Sequence, residues 1–153
     1  MRQVDTARGS CGRIAPDGGS VTVAPRVSAA LLGQDAEVSG DESVRDTYEQ
    51  LVGAELVARR PLATFGLIAG RDETRPVNSL SVGQRRRLDL AVLLALPPDV
   101  LLLDEPTNHF SLLLSEDIER ALADYPGVVV VASHDRMLRR RWTGQRLELH
   151  LPG

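Results

Sequence analysis

Apolar and polar positions alternate along the chain in two distinct rhythms. The stretch GGSVTVAPRVSAALLGQD opens on a glycine turn, places Val21 and Val23 between smaller or polar neighbours, and resumes after Pro25 as a second extended run ending near Gly33. This pattern predicts two short strands. From about residue 40 the period changes. Asp41 or Ser43 can cap a helix in which Val44, Tyr48, Leu51 and Val52 recur at helical spacing. Residues 62–68 are apolar and predict a short helix, followed by a loop rich in glycine, charge and proline that runs to Ser81. Beyond it the pattern predicts a long helix over 82–96, a strand over 100–103, a helix over 113–124 and a strand over 128–132. A short helix over 137–141 and a last strand over 146–150 complete the chain. Helices alternating with uninterrupted apolar strands predict an α/β domain whose parallel sheet is buried on both faces. No internal repeat is present.

At 153 residues, 42% of them apolar, the chain suffices for one globular core, so a single domain is expected. Its longest apolar run, residues 90–96, falls far short of the roughly 20 residues that a membrane helix needs, and Pro97 and Pro98 end it. The N-terminal MRQVDTARGSCGR carries no apolar stretch of the secretory kind. Cys11 is the single cysteine, which excludes an intramolecular disulfide and reads as a packing residue in a reducing, cytosolic setting. The expected protein is therefore intracellular, soluble and without membrane insertion. A net charge of −3 makes no general case for nucleic acid or anionic lipid. All 18 basic residues are arginine, and this matters below.

Three segments carry chemistry. In VLLLDEPTNHF, four apolar residues end in adjacent carboxylates, so a buried strand presents Asp104 and Glu105 at its C-terminal end, where open parallel sheets bind ligands. One carboxylate there can hold Mg²⁺ and the other can orient or deprotonate a water. Acidic residues also close strands as turn formers; the whole string, more than the DE pair, favours the ligand reading. In VVVVASHD, a valine strand delivers Ser133, His134 and Asp135 to the same sheet edge if the two strands are parallel, and His134 can then bond a phosphate oxygen or position a nucleophile. In LSVGQRRR, Ser81 and Gln84 have capping-box spacing. Gly83 in the first turn lowers helix propensity and opens the helix amides to an anion. Capping and phosphate binding compete for the same donors. Arg85, Arg86 and Arg87 can add phosphate or RNA affinity, but are expected mainly on the solvated helix face. Gln34, after the second strand, can offer its side-chain carbonyl to a metal or a water.

Gln34, LSVGQ, VLLLDEPTNH and ASHD, in this order, resemble the nucleotide-binding domain of ATP-binding cassette (ABC) proteins from about PDGGSV to the chain end. The resemblance implies a P-loop NTPase-like parallel-sheet core with a helical subdomain. It divides the chain into core strands and Q-loop (1–39), helical subdomain (40–80), and signature helix, Walker B strand and switch histidine (81–153). It further implies ATP and Mg²⁺ as cofactors. Asp104 and Gln34 would serve the metal and Glu105 would be the general base. His134 would be the switch, and Ser81, Gly83 and Gln84, with Gln34, would meet nucleotide. The signature would contact the γ-phosphate of ATP held by a second cassette, head to tail, in cis or trans.

DEPTNH is similar to the F subfamily, soluble two-cassette proteins that bind the ribosome. RPVNSLSVGQRRRLDLA and SHDRMLRRRWTGQRLEL look like the second cassette of its antibiotic-resistance members. The implied function is ATP hydrolysis in the intact parent, acting on ribosome or rRNA in translation or antibiotic resistance. The alternatives are the ATP-binding subunit of a membrane transporter, disfavoured by TNH, and a non-catalytic remnant that donates its signature motif to a partner. The chain departs from the family in three places. A Walker A loop, G-x-x-x-x-G-K-[ST], would precede GRIAPDGG, yet the chain contains no lysine. Val82 stands where the signature usually has glycine, and Ser111 or a neighbour replaces the D-loop aspartate. The resemblance thus implies a cassette lacking its N-terminal strand and P-loop, weak or inactive as an ATPase alone.

Overall fold

The computed structural model describes residues 24–33, 38–105, 122 and 125–146. Three parallel strands stand side by side in chain order: β1 (Ala29–Leu32), β2 (Val100–Asp104) and β3 (Val128–Ala132). The register pairs Ala30 with Leu101 and Leu101 with Val129, then Leu32 with Leu103 and Leu103 with Val131. These rows share one face, because side chains alternate along a strand. Ala30, Leu32, Leu101 and Leu103 are buried, and Val129 and Val131 pack against the core.

The opposite face differs from the expected sheet buried on both sides. Val128 and Val130 are 58% and 48% exposed, and β3 alternates between exposed and half-buried positions. A valine run signals strand and apolarity, but it does not report which layer covers the second face.

At the end of the sheet opposite the ligand edge, one carboxylate fastens the strands. Asp99 Oδ2 accepts hydrogen bonds from Ser28 N and Ser28 Oγ, both at 2.7 Å. The Asp99 carbonyl accepts from Val128 N at 2.8 Å. Tyr125 Oη adds a bond to the Pro98 carbonyl at 2.6 Å. Hydrogen bonds from Ser28 hold the Asp99 carboxyl below its ordinary range, while burial and then the Asp99 charge push the Tyr125 phenol up to about 12.

Between β1 and β2 the chain builds its helices. α1 (Val44–Val52) is capped by Ser43, whose Oγ accepts from Asp46 N at 3.1 Å, and it buries Val44, Thr47, Tyr48 and Val52 on one stripe. Of the two expected caps, Ser43 serves. Gly53, at φ 90°, ends α1 and starts α2 (Ala54–Arg59), a helix the hydrophobic spacing did not reveal. Short 3₁₀ turns follow at Leu62–Phe65, Gly70–Asp72 and Val77–Ser79. The chain closes on itself where Val44 N and Arg45 N donate to the carbonyls of Arg75 and Glu73.

The central helix α3 (Val82–Ala95) lies against both sheet and α1, burying Leu88, Leu90, Ala91, Leu94 and Ala95. Its last carbonyls, which no helical amide can satisfy, accept from Arg60 Nη1, at 3.0 Å from Leu94 O. The last described helix, α4 (Arg136–Arg141), follows β3 and is capped by Asp135, which accepts from Met137 N and Leu138 N. Cys11, the first expected strand around Val21, the helix expected over 113–124 apart from Leu122, Ser111, and the last strand beyond Arg146 lie outside the described residues. Among the described residues no helix is long and apolar enough to cross a membrane.

Candidate functional site

The parallel pairing of β2 and β3 brings the carboxylate pair and the histidine to one edge of the sheet. Asp104 pairs with Ala132, and Glu105 N continues the ladder with a bond to Ala132 O at 2.9 Å. At Glu105 the backbone turns into the left-handed region, φ 45°, which a non-glycine residue adopts at a cost of about 1–3 kcal/mol. That turn swings its side chain toward the exit of β3. Oε1 accepts from His134 N at 2.9 Å, and Oε2 accepts from Ser133 Oγ at 3.3 Å. Ser133 Oγ is itself fixed by accepting from Asp135 N at 3.0 Å. The Glu105 side chain is 15% exposed, so solvent reaches it, and each carboxylate oxygen keeps a lone-pair site for a water proton. The His134 imidazole is fully exposed, with Nε2 at 3.8 Å from Glu105 Oε1, beyond hydrogen-bond range and open to a ligand.

The Asp104 carboxylate makes no hydrogen bond or ion pair with the described residues. An unpaired oxygen donor at a strand end fits Mg²⁺, which takes one or two protein carboxylates and fills its octahedron with phosphate and water. Among the described residues no cluster of three or more acidic, histidine or cysteine side chains offers a complete cage. Gln34, the other expected metal and nucleotide contact, lies outside the described residues; β1 ends two positions before it.

Ser81, Gly83 and Gln84 meet at the start of α3. The capping box is complete: Ser81 Oγ accepts from Gln84 N at 3.2 Å, and Ser81 N donates to Gln84 Oε1 at 3.0 Å. The other end of the Gln84 amide is also occupied, since Nε2 donates to Asp72 Oδ2 at 3.0 Å. Asp72 is 9% exposed and completes its bonding with Arg75 Nη1 at 2.9 Å. Gln84 is therefore a strut between the signature turn and the Gly70–Asp72 turn. Ser81 and Val82 remain exposed, Val82 by 51%. Gly83 has no left-handed backbone.

The two groups are linked through the helix between them. Arg86 Nη2 donates to the Asp104 carbonyl at 3.3 Å. This corrects the expectation of a solvated arginine face: Arg86 is completely buried, while Arg85 and Arg87 are half-buried. Three consecutive arginines on a helix point in three directions about 100° apart, so one of them turns inward toward β2. The role of Asp72 and that of Ser133 also escaped the sequence, because each rests on a contact between distant segments. A cavity of about 550 Å³ opens beside the end of β1, lined by Leu32, Gly33, Asp41, Glu42 and Asp89 among others, and it contains none of Asp104, Glu105 and His134.

Comparison with known proteins agrees with this arrangement. The family model described as "ABC transporter" matches residues 5–108. The tylosin resistance ATP-binding protein TlrC of Streptomyces fradiae is 39% identical over 148 residues, covering 90% of this chain and 25% of that protein. The energy-dependent translational throttle protein EttA of Mycobacterium tuberculosis is 38% identical over 128 residues, covering 79% and 23%. The chain thus spans about a quarter of the length of these curated relatives. Among solved structures, the ATP-binding cassette MJ0796, a dimer in a post-hydrolysis state bound to ADP and Pi, superposes with a TM-score of 0.60 at 25% identity, covering 75% of this chain and 56% of that one. The archaeal ribosome recycling factor aABCE1, in complex with ribosomal stalk protein aP1, shares the fold at a TM-score of 0.60 and 20% identity, covering 84% and 26%.

Proposed function

The chain belongs to the ABC transporter family, and from that membership we propose that it is part of an F-subfamily ATPase cassette whose parent acts on the ribosome, in the cytoplasm, in translation or antibiotic resistance. The observation that carries the catalytic part is the joining of Glu105 to the exit of β3 through Ser133 Oγ and His134 N. A carboxylate held by two donors, still reachable by water, suits a general base that takes the proton of a water attacking the γ-phosphate. His134 stands free to bond the transferring phosphoryl group. Asp104 would hold Mg²⁺, whose charge offsets that building on the phosphate oxygens, with Gln34 as a further contact. Ser81 and the first amides of α3 would meet the γ-phosphate of ATP on a second, head-to-tail cassette, where the helix dipole favours the anion. Gln84 serves that contact indirectly, as the strut that fixes Ser81. TlrC and EttA, relatives named for tylosin resistance and for throttling translation, support the ribosomal part.

The 153 residues contain no lysine, so the ammonium that a Walker A loop places on the β- and γ-phosphates must come from residues other than these. This composition favours a second reading, in which these residues donate the signature to a partner and hydrolyse nothing alone. Phosphate release separates the two. On the proposed reading, ATP turnover appears when this chain is joined to a Walker A segment and mixed with a second cassette, and Glu105→Gln removes the part that belongs to this chain's own site. If turnover in that mixture is indifferent to Glu105→Gln but lost on Ser81→Arg, the donor reading holds instead. Co-sedimentation with ribosomes tests the subfamily: a transporter subunit would stay in the supernatant.

A further inference from the structure

Charge in this chain is segregated. Residues 136–146 contain five arginines and no acidic residue, in a protein whose net charge is −3. Arg136, Arg139, Arg140, Arg141 and Arg146 are all exposed. Arg136, Arg139 and Arg140 stand at i, i+3 and i+4 on α4 and so share one face, where like charges oppose the helix instead of supporting it. None of these three makes an ion pair with the described residues. Helix-dipole stabilisation accounts for cations in the last turn of α4, but not for Arg136 in the first turn, nor for Arg146 beyond the helix end. Arg146 is folded back onto α4, its guanidinium donating to the Arg139 carbonyl. A compact face of guanidinium groups that makes no ion pair with the described residues is suited to a run of phosphates, which arginine grips through its planar fork.

We propose that this α4 arginine face binds the phosphate backbone of an RNA. It rests on the ribosomal reading above for the kind of polyanion, and on the structure for the place. A six-residue helix whose only strongly exposed apolar side chain is Met137 has no apolar stripe to insert into a bilayer, so RNA is favoured over an anionic membrane.

The test uses a fluorescein-labelled RNA hairpin and the full chain in a salt series. Changing Arg136, Arg139 and Arg140 together to Gln is expected to weaken binding about tenfold or more and to flatten the slope of log K against log salt by about 2. The same three positions as Lys should keep the slope, which separates lost charge from a damaged fold. Changing Arg45 and Arg59, exposed arginines paired with Glu73 and Glu55, to Gln should leave binding unchanged. The proposal is overturned if the triple Gln variant binds the hairpin as wild type does. It is also overturned if the three arginines matter only for phosphatidylserine vesicles. Ribosome co-sedimentation separates the two readings. Hairpin binding through α4 without co-sedimentation would keep the surface and sink the ribosomal reading. Co-sedimentation indifferent to the triple substitution would do the reverse.

Discussion

Gln84 reaches back to Asp72: its Nε2 donates to the Asp72 carboxylate at 3.0 Å while its Oε1 accepts from Ser81 N. The start of α3 is thereby fixed both to itself and to the Gly70–Asp72 turn. Gln84→Ala is expected to cost about 1–2 kcal/mol, a lost cap partner plus a half-satisfied buried carboxylate. Asp72→Ala should cost about as much, because it takes the shared acceptor from Arg75 Nη1 and the Gln84 amide together. The double variant should fall short of the sum by about 0.5 kcal/mol or more, measured as a double-mutant cycle in urea. Strict additivity would show that the strut carries no energy.

The lower end of the sheet sets the pH response. Asp99 has its carboxyl pKa lowered, chiefly by the Ser28 amide and hydroxyl. Its contribution is therefore present above the unfolded carboxylate pKa and is lost as pH falls through that value toward the folded one. Tyr125 is raised to about 12 by burial and by Asp99, and Tyr48 is raised too, mainly by burial. Their contributions are whole below the unfolded phenol pKa of about 10; that of Tyr125 drains away between there and about 12, and that of Tyr48 is lost as pH rises through its own raised value. Thermal midpoints across pH should show both flanks. Asp99→Asn should flatten the acid one and Tyr125→Phe the alkaline one.

Gly127 precedes β3 because backbone crowds it. A Cβ there would stand 2.6 Å from the Asp99 carbonyl oxygen and 3.0 Å from that of Pro98, acceptors already bonded to Val128 N and Tyr125 Oη. Gly127→Ala should destabilise by about 1–3 kcal/mol. Gly144→Ala meets only the Trp142 indole, a side chain that can rotate, and should cost less. Equal losses in calorimetry would contradict this assignment.

Ser133 and Glu105 differ in what their loss should do to turnover in a reconstituted pair of cassettes. Glu105→Gln removes the base and should lower the share of turnover that belongs to this chain's own site by about 10²–10⁴. Ser133→Ala leaves the His134 amide in place and should lower kcat by about five- to tenfold, the worth of one ordinary hydrogen bond. An unchanged rate for Ser133→Ala would mean that the His134 amide alone orients the carboxylate.

Much of this was legible in the order of residues. The runs VLLLD and VVVVA specify strands because short, continuous apolar and β-branched stretches between turn residues favour the extended chain, and Ser81 with Gln84 specifies a capped helix start through a three-residue spacing. What stayed hidden depends on contacts between remote segments. Helical periodicity alone could not say which arginine of the RRR run turns inward, and the answer, Arg86, is set by the Asp104 carbonyl. Asp72 stood in a loop rich in charge, with nothing local to mark it as the partner of Gln84. Ser133 was visible as part of ASHD, but its bond to Glu105 exists only because β2 and β3 are neighbours. The second face of β3 was misjudged for a related reason: valine content reports strand propensity, whereas exposure depends on which layer packs above.

Glu105 sits with φ at 45°, a conformation that glycine adopts freely and a carboxylate side chain does not. Stability and chemistry therefore pull in opposite directions at this one position. Glu105→Gly and Glu105→Ala both give up the bonds to Ser133 and His134 and should be catalytically inert, but the glycine variant, free of the backbone strain, should resist denaturant better than the alanine one. Once its two side-chain bonds are gone the backbone here favours glycine, so a demand for turnover is what sets glutamate against that preference.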